Sequence, residues 1–282
     1  MPSSSLSNHD QSPHSSGSTP QPPLKPPVTH FLALNLVTPS SRPQLLTSLA
    51  ELKDAMEDIP DVSPRPVGTL HLTLGVMSLR TRQEIEQAAE HLRSLDLLEM
   101  LNALPPSSSS PDSADAEPLP STSTANGALT LTLASLVPMH KPSSTSVLYV
   151  DPRDPTSRLE PFCAALRASF TQAGHLLPET RPLKLHGTVV NTSSSASSRR
   201  GRGQGRGKGT GKYARGGGGG GRWHKFDATR LVERFRDKVW ADGVEVDKVA
   251  ICRMGAKPVR DEETGEVVDE VYEEVAVASL VP

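Results

Sequence analysis

Two stretches, "TLHLTLGVM" (Thr69–Met77) and "KLHGTVVNT" (Lys184–Thr192), decide how this chain is read. Each sets a histidine and a threonine two positions apart between apolar residues. Side chains of a β-strand alternate between its two faces, so His71 and Thr73 share one face and Leu72 takes the other. His186 and Thr188 share a face in the same way. Leu70, Leu72 and Leu74 anchor the first strand; Leu185 and Val189 anchor the second. If the two strands line opposite walls of one cleft, two imidazoles and two hydroxyls converge on a small volume.

That grouping suits phosphodiester chemistry without a metal. One neutral histidine removes the proton from an attacking hydroxyl or water, and the other, protonated, donates to the leaving oxygen. Both states are accessible near neutral pH. Each threonine can donate a hydrogen bond to a non-bridging oxygen, where charge grows in the transition state. Acid–base steps of this kind contribute roughly 10²–10⁴-fold each. The spacing does not say which histidine is the base. A lone His-x-Thr strand is explained as well by a satisfied core histidine; the reading rests on there being two, one in each half.

Around these strands the pattern alternates. "THFLALNLV" (29–37) is a strand. "SRPQLLTSLAELKDAM" (41–56) is an amphipathic helix with Leu45, Leu46, Leu49 and Leu52 along one face. A second helix spans 81–101, opened by a Thr81/Glu84 capping box. Strands follow at 128–137 and 146–152, a helix at 156–174, and the second His-x-Thr strand at 183–192. A helix at 227–239, a strand at 243–254, an acidic hairpin turn at 260–270 and a last strand at 273–281 complete the order. Each half therefore mixes helices and strands around one His-x-Thr strand. The class is α+β with two similar lobes.

Composition limits how much of the chain is core. It has 282 residues, 26 of them Pro and 21 Gly, and only 35% are apolar. Residues 1–27 are Ser/Pro-rich and read as a disordered tail. The domain spans 28–282, with low-complexity insertions at 105–127 and 193–221. One domain of roughly 180–200 folded residues is expected. Cys163 and Cys252, the only two cysteines, define neither a disulfide framework nor a zinc spacing and read as buried apolar residues in a reducing compartment. There is no apolar leader and no run long enough to span a membrane. Neither cofactor nor metal is expected. His30, His140, His175 and His224 read as surface residues, and His91 as a solvated or partly packed helix residue.

"LHLTLGVM" and "KLHGTVVNT" together resemble the paired signatures of the two-histidine (2H) phosphoesterase superfamily, which includes the 2′-5′ RNA ligase-like proteins. With "THFLALNLV" and "VLYVDP" they resemble the phosphoesterase domain of A-kinase anchor protein seven. They resemble still more the C-terminal domain of subunit one of the activating signal cointegrator complex, here without a KH domain ahead of it. The resemblance implies a bilobal fold with the histidines facing a central cleft, and site residues His71, Thr73, His186 and Thr188. It implies a nuclear location, with the cytoplasm also open.

The run Arg199–Arg222 is rich in Arg and Gly. Its arginines, Arg199, Arg200, Arg202, Arg206, Arg215 and Arg222, suit phosphate contacts and base stacking, with Tyr213 and Trp223 as further stacking residues. A low-complexity insertion tolerated in a surface loop explains the run equally well. Two functions of different class follow. One is a metal-independent phosphoesterase, a monomeric domain acting on RNA ends or on cyclic or 2′-5′ phosphodiesters. The other is a non-catalytic nuclear RNA-binding or adaptor subunit of a transcription-coactivator or repair complex, with cointegrator-type subunits as partners.

Overall fold

The apolar runs become strands of one large antiparallel sheet. The computed structural model describes residues 26–104, 128–192 and 224–281. Their strands are β1 (His30–Asn35), β2 (His71–Met77), β3 (Thr130–Pro138), β4 (Val147–Arg153), β5 (Gly187–Asn191), β6 (Val239–Glu245), β7 (Lys248–Arg253), β8 (Lys257–Arg260), β9 (Val267–Val271) and β10 (Glu274–Ser279). The helices are α1 (Ser41–Ala55), α2 (Arg82–Ser94), α3 (Leu97–Asn102), α4 (Leu159–Gln172) and α5 (Thr229–Arg234).

Eight strands pair in the order β10-β7-β1-β2-β5-β4-β3-β6, and β8 and β9 form a separate hairpin. The four strands on each side of the centre are the two lobes. They meet where β2 and β5 touch, registered by the single pair Leu72–Gly187. β6 and β7 are far apart in this order, yet only Val246 and Asp247 separate them. Three residue steps span at most about 11 Å, so the sheet must curl to bring its two ends together. α1 spans the same gap: Ser48 Oγ donates to the Trp240 carbonyl of β6 at 2.9 Å.

The helices cover one face of the sheet and form the main core with it. α1 contributes Leu45, Leu49 and Leu52, α2 Ala88 and Leu92, and α4 Phe162, Leu166 and Phe170, all packed against Leu32, Leu34, Leu72, Leu74, Val189 and Val190. Leu46 was expected in the α1 stripe but is 49% exposed. It lies one position round the helix from Leu45, and the buried stripe runs instead through Ser41, Leu45, Ser48, Leu49 and Leu52. The Thr81 capping box forms: Thr81 Oγ1 accepts from the Glu84 amide at 3.2 Å and the Glu84 carboxylate accepts from the Thr81 amide at 2.7 Å. The helix it opens ends early. Asp96 caps a new helix by accepting from the Glu99 amide at 2.8 Å, so 81–101 is two helices.

Other expectations shift as well. The 227–239 helix is only Thr229–Arg234, and Val239 already belongs to β6. The 243–254 strand is the end of β6 plus β7. His30 is buried at 3% exposure as the first residue of β1 rather than lying at the surface. The acidic segment does form a hairpin, but Asp269 within it is buried. Asp269 accepts from Arg42 Nη2 at 2.6 Å and from the Gly68 amide at 3.0 Å, which pins the hairpin over the start of β2. Residue 68 must be glycine for this: a Cβ there would stand 2.6 Å from the Glu270 carbonyl oxygen.

Candidate active site

The opposite face of the sheet carries the His-x-Thr residues. Leu72 and Gly187 oppose each other and point into the core, so their neighbours His71, Thr73, His186 and Thr188 point to the other side. The register sets His71 against Thr188 and Thr73 against His186 across the β2–β5 seam. The convergence expected of the two lobes thus comes from two adjacent strands at the centre of the sheet. β5 begins only at Gly187, so His186 stands just ahead of its strand. The second motif carries glycine where the first has leucine because the backbone lies close to the core. A Cβ on Gly187 would meet Val150 Cγ2 at 2.9 Å and Leu36 Cδ1 at 3.0 Å.

Both imidazoles are held by the same local device. His71 Nδ1 lies 2.8 Å from the Thr69 carbonyl, and His186 Nδ1 lies 2.7 Å from the Lys184 carbonyl. A carbonyl oxygen only accepts, so each Nδ1 carries the proton and donates it. Each Nε2 is left as the reactive nitrogen. Both rings and both threonines are half-buried, so they remain open to a ligand.

The surroundings of the two rings differ. His71 lies in an aromatic corner, with Phe31 at 4.7 Å and Tyr272 edge-on at 5.3 Å between ring centroids. Burial in this corner pushes its pKa down to about 4; the Thr69 carbonyl opposes that, while the charges of Arg65 and His186 add to it. His71 is therefore neutral at pH 7, with an Nε2 lone pair to accept a proton. His186 packs its ring on Tyr149 at 5.3 Å. The exposed Lys184 ammonium stands 4.8 Å over the same tyrosine ring.

Arg65 joins the two motifs. Its amide donates to the Val189 carbonyl of β5 at 2.7 Å. Its guanidinium donates through Nε to Thr69 Oγ1 at 3.1 Å and through Nη2 to the Tyr272 hydroxyl at 2.7 Å. The site thus includes residues that the sequence reading left out: Phe31, Arg65, Tyr149, Lys184 and Tyr272. Alternation along β1 and β4 could have flagged Phe31 and Tyr149. No local signal marks Arg65, in the irregular segment before the Val67–Thr69 helical turn, or Tyr272, which the hairpin brings in.

A cavity of about 200 Å³ opens beside His71. Ala33, Ala250 and Cys252 form its floor, Phe31 and Tyr272 stand beside it, and Arg42 and Glu274 supply polar groups. Cys163 and Cys252 are both buried, as expected. Burial pushes both thiols well up, Cys252 to about 12, so they stay neutral. His91 is partly packed: its Nε2 lies 2.9 Å from Ser169 Oγ, and its ring meets Phe170 edge-on. The arginines proposed to bind RNA, Arg199, Arg200, Arg202, Arg206, Arg215 and Arg222, with Tyr213 and Trp223, lie outside the described residues, as do most of the tail and the 105–127 insertion.

Residues 28–263 match the family model described as the AKAP7 2′5′ RNA ligase-like domain. No curated protein matches the chain in sequence. Among solved structures, one titled only as a phosphoesterase is 14% identical with a TM-score of 0.47, covering 91% of this chain and 99% of that one. E. coli LigT complexed with 3′-AMP is 13% identical, with a TM-score of 0.46 over 91% of this chain and 99% of its own. TT0787 of Thermus thermophilus is 13% identical, with a TM-score of 0.47 over 89% and 97%. At these scores the structures add nothing to the family match.

Proposed function

This chain belongs to the AKAP7 2′5′ RNA ligase-like family of two-histidine phosphoesterases, and from that premise we propose that it is a metal-independent phosphoesterase acting on RNA ends or on cyclic or 2′-5′ phosphodiesters. The observation that carries this reading is the pair of imidazoles on one face of β2 and β5. Each is fixed through Nδ1 to the carbonyl two residues back and leaves Nε2 to the ligand.

His71, neutral in its aromatic corner, takes the proton of the attacking hydroxyl or water as the new O–P bond forms. His186, in its protonated form, gives a proton to the leaving oxygen as the old P–O bond breaks. The cycle leaves His71 protonated and His186 neutral, ready for exchange with solvent or for the reverse pairing in a second step. Thr73 and Thr188 donate to the non-bridging oxygens. The Arg65 guanidinium lies close enough to His71 to depress its pKa, and there it offsets charge on the phosphoryl group. The arginine-rich run is proposed to bring RNA to this face, and a nuclear location is proposed with it; its composition supports both.

A turnover assay in EDTA tests the reading. Its substrates are short RNAs of defined ends, nucleoside 2′,3′-cyclic phosphates and 2′-5′ oligoadenylates. Turnover by the wild type, lost in His71→Ala and in His186→Ala while both stay folded, is expected. Turnover that survives either substitution, or that EDTA abolishes, overturns it.

A further inference from the structure

We propose that Asp269 is a positioning residue for His71: by holding the Val67–Thr69 turn, its carboxylate fixes the carbonyl that sets which nitrogen of the His71 ring carries the proton. The inference deepens the phosphoesterase reading and rests on it for what the free Nε2 does.

The path from carboxylate to ring is continuous. The Gly68 amide donates to Asp269 Oδ1 at 3.0 Å and to Oδ2 at 3.2 Å. That amide and the Val67 carbonyl are two ends of one rigid, planar peptide group. The Val67 carbonyl accepts from the Leu70 amide at 3.1 Å. The Leu70 amide in turn shares its plane with the Thr69 carbonyl, which accepts the His71 Nδ1 proton at 2.8 Å. Two peptide planes thus separate the carboxylate from the ring, and each is held at both ends. A carboxylate at the head of such a chain does two things. It fixes the tilt of the planes, and it polarises each hydrogen bond behind it, so that the Thr69 oxygen becomes a better acceptor. The hydrogen bond on one ring nitrogen sets the state of the other.

The carboxylate is itself held. Its side chain is 3% exposed. It accepts from Arg42 Nη2 of α1 at 2.6 Å and from the Glu270 amide at 2.8 Å. A buried charge with these donors stays where they are, because leaving it unpaired is costly. Thr69 is held from its other side. Its hydroxyl donates to the Pro66 carbonyl at 2.7 Å and accepts from Arg65 Nε at 3.1 Å. The hairpin therefore grips His71 twice, through the turn by Asp269 and edge-on to the ring by Tyr272.

Docking of the hairpin is the simpler role for Asp269, and the pair with Arg42 already serves it. The hold on Gly68 goes further, because that amide heads the path to the ring. Asp269 lies beyond residue 263, where the family match ends, so the match does not assign it a role.

The test is ring ¹⁵N NMR of the histidine-labelled full chain at pH 7, beside the turnover assay. Wild-type His71 should show the Nδ1–H form alone. Asp269→Ala should bring in the Nε2–H form and lower kcat by up to roughly 100-fold, the loss a small misplacement of a reacting group produces. Asp269→Asn keeps an acceptor within reach of Gly68 and should restore the Nδ1–H form and most of kcat. His186, held on the Lys184 carbonyl, is the internal reference and should keep its form throughout. Should the alanine variant not fold, Asp269→Ser, too short to reach Gly68, takes its place. His71 wholly in the Nδ1–H form without the carboxylate, or an equal change at both histidines, overturns the proposal. A His71 form that depends on Asp269 in a chain that turns over no phosphodiester would sink the enzyme reading and leave the positioning role standing. Turnover that needs His71 but is indifferent to Asp269 would do the reverse.

Discussion

Replacing His71 with glutamine removes a group whose protonation folding suppresses. The pKa of His71 falls from 6.5 to about 4 on folding, so between those values the unfolded chain binds a proton that the folded one refuses. Above pH 6.5 both states hold a neutral ring, and the shift does not affect stability. As pH falls below that, the unfolded state gains and the fold is weakened, until the folded ring also protonates near pH 4. The cost is about 2 kcal/mol at pH 5 and about 3 kcal/mol at pH 4. His71→Gln cannot show this dependence. Urea unfolding of both proteins at pH 7, 5 and 4 should therefore show the wild type losing about 2 kcal/mol more than the variant between pH 7 and 5. The acid limb of kcat/KM, if His71 is the base, should lie well below the usual histidine range. Parallel stability curves would refute the reasoning: the corner formed by Phe31, Tyr272 and Arg65 would then not hold the ring neutral.

Gly187→Ala should destabilise by about 1–3 kcal/mol, because its Cβ would press on Val150 and Leu36 at 3.0 Å or less; denaturant midpoints check this, and a wild-type midpoint would mean the seam can part at no cost. Asp269→Ala leaves Arg42 and the Gly68 amide without their acceptor and should loosen the hairpin by about 1–3 kcal/mol. Faster amide exchange across residues 257–271, with the main sheet unchanged, is the expected result, and unaltered exchange would show that the hairpin is held elsewhere. Thr81→Ala should cost about 1 kcal/mol through loss of the capping box, read from thermal melts.

The central strands were legible because strand alternation is local. His71, Thr73, His186 and Thr188 share a face by period alone, and the pairing Leu72–Gly187 then puts all four on the same side. The capping box was legible for the same reason, since both its partners lie within one turn. What failed needed distance. Arg65 and Tyr272 are 207 positions apart and meet only because the hairpin folds back. Asp269 reads as one more solvated acid in an acidic run, until Arg42 and Gly68 close on it. The break in the second helix did have a signal, an Asp96 cap followed by Glu99, but continuous hydrophobic periodicity through Leu95, Leu97 and Leu98 concealed it. The short step at Val246–Asp247 reads as the middle of one strand because only the curl of the sheet requires a turn there.

The two histidines illustrate how identical local structure yields unequal chemistry. Each sits two residues beyond a carbonyl that fixes its Nδ1 proton, so backbone geometry alone makes both Nε2 atoms available. Nothing in either motif chooses a base. The choice comes from what the rest of the chain stacks around each ring. Phe31 from β1 and Tyr272 from the hairpin desolvate His71, and Arg65 adds a positive charge nearby, all of which favour the neutral ring. His186 receives one tyrosine and an exposed lysine instead. A near-symmetric pair thus meets unequal surroundings, and in the proposed mechanism these make His71 the base. The same neighbours, Phe31 and Tyr272, line the cavity beside His71. Tyr272→Ala should therefore raise the His71 pKa, read from the pH titration of its ring by NMR. An unchanged pKa would show that Phe31 and the rest of the corner keep the ring neutral without Tyr272.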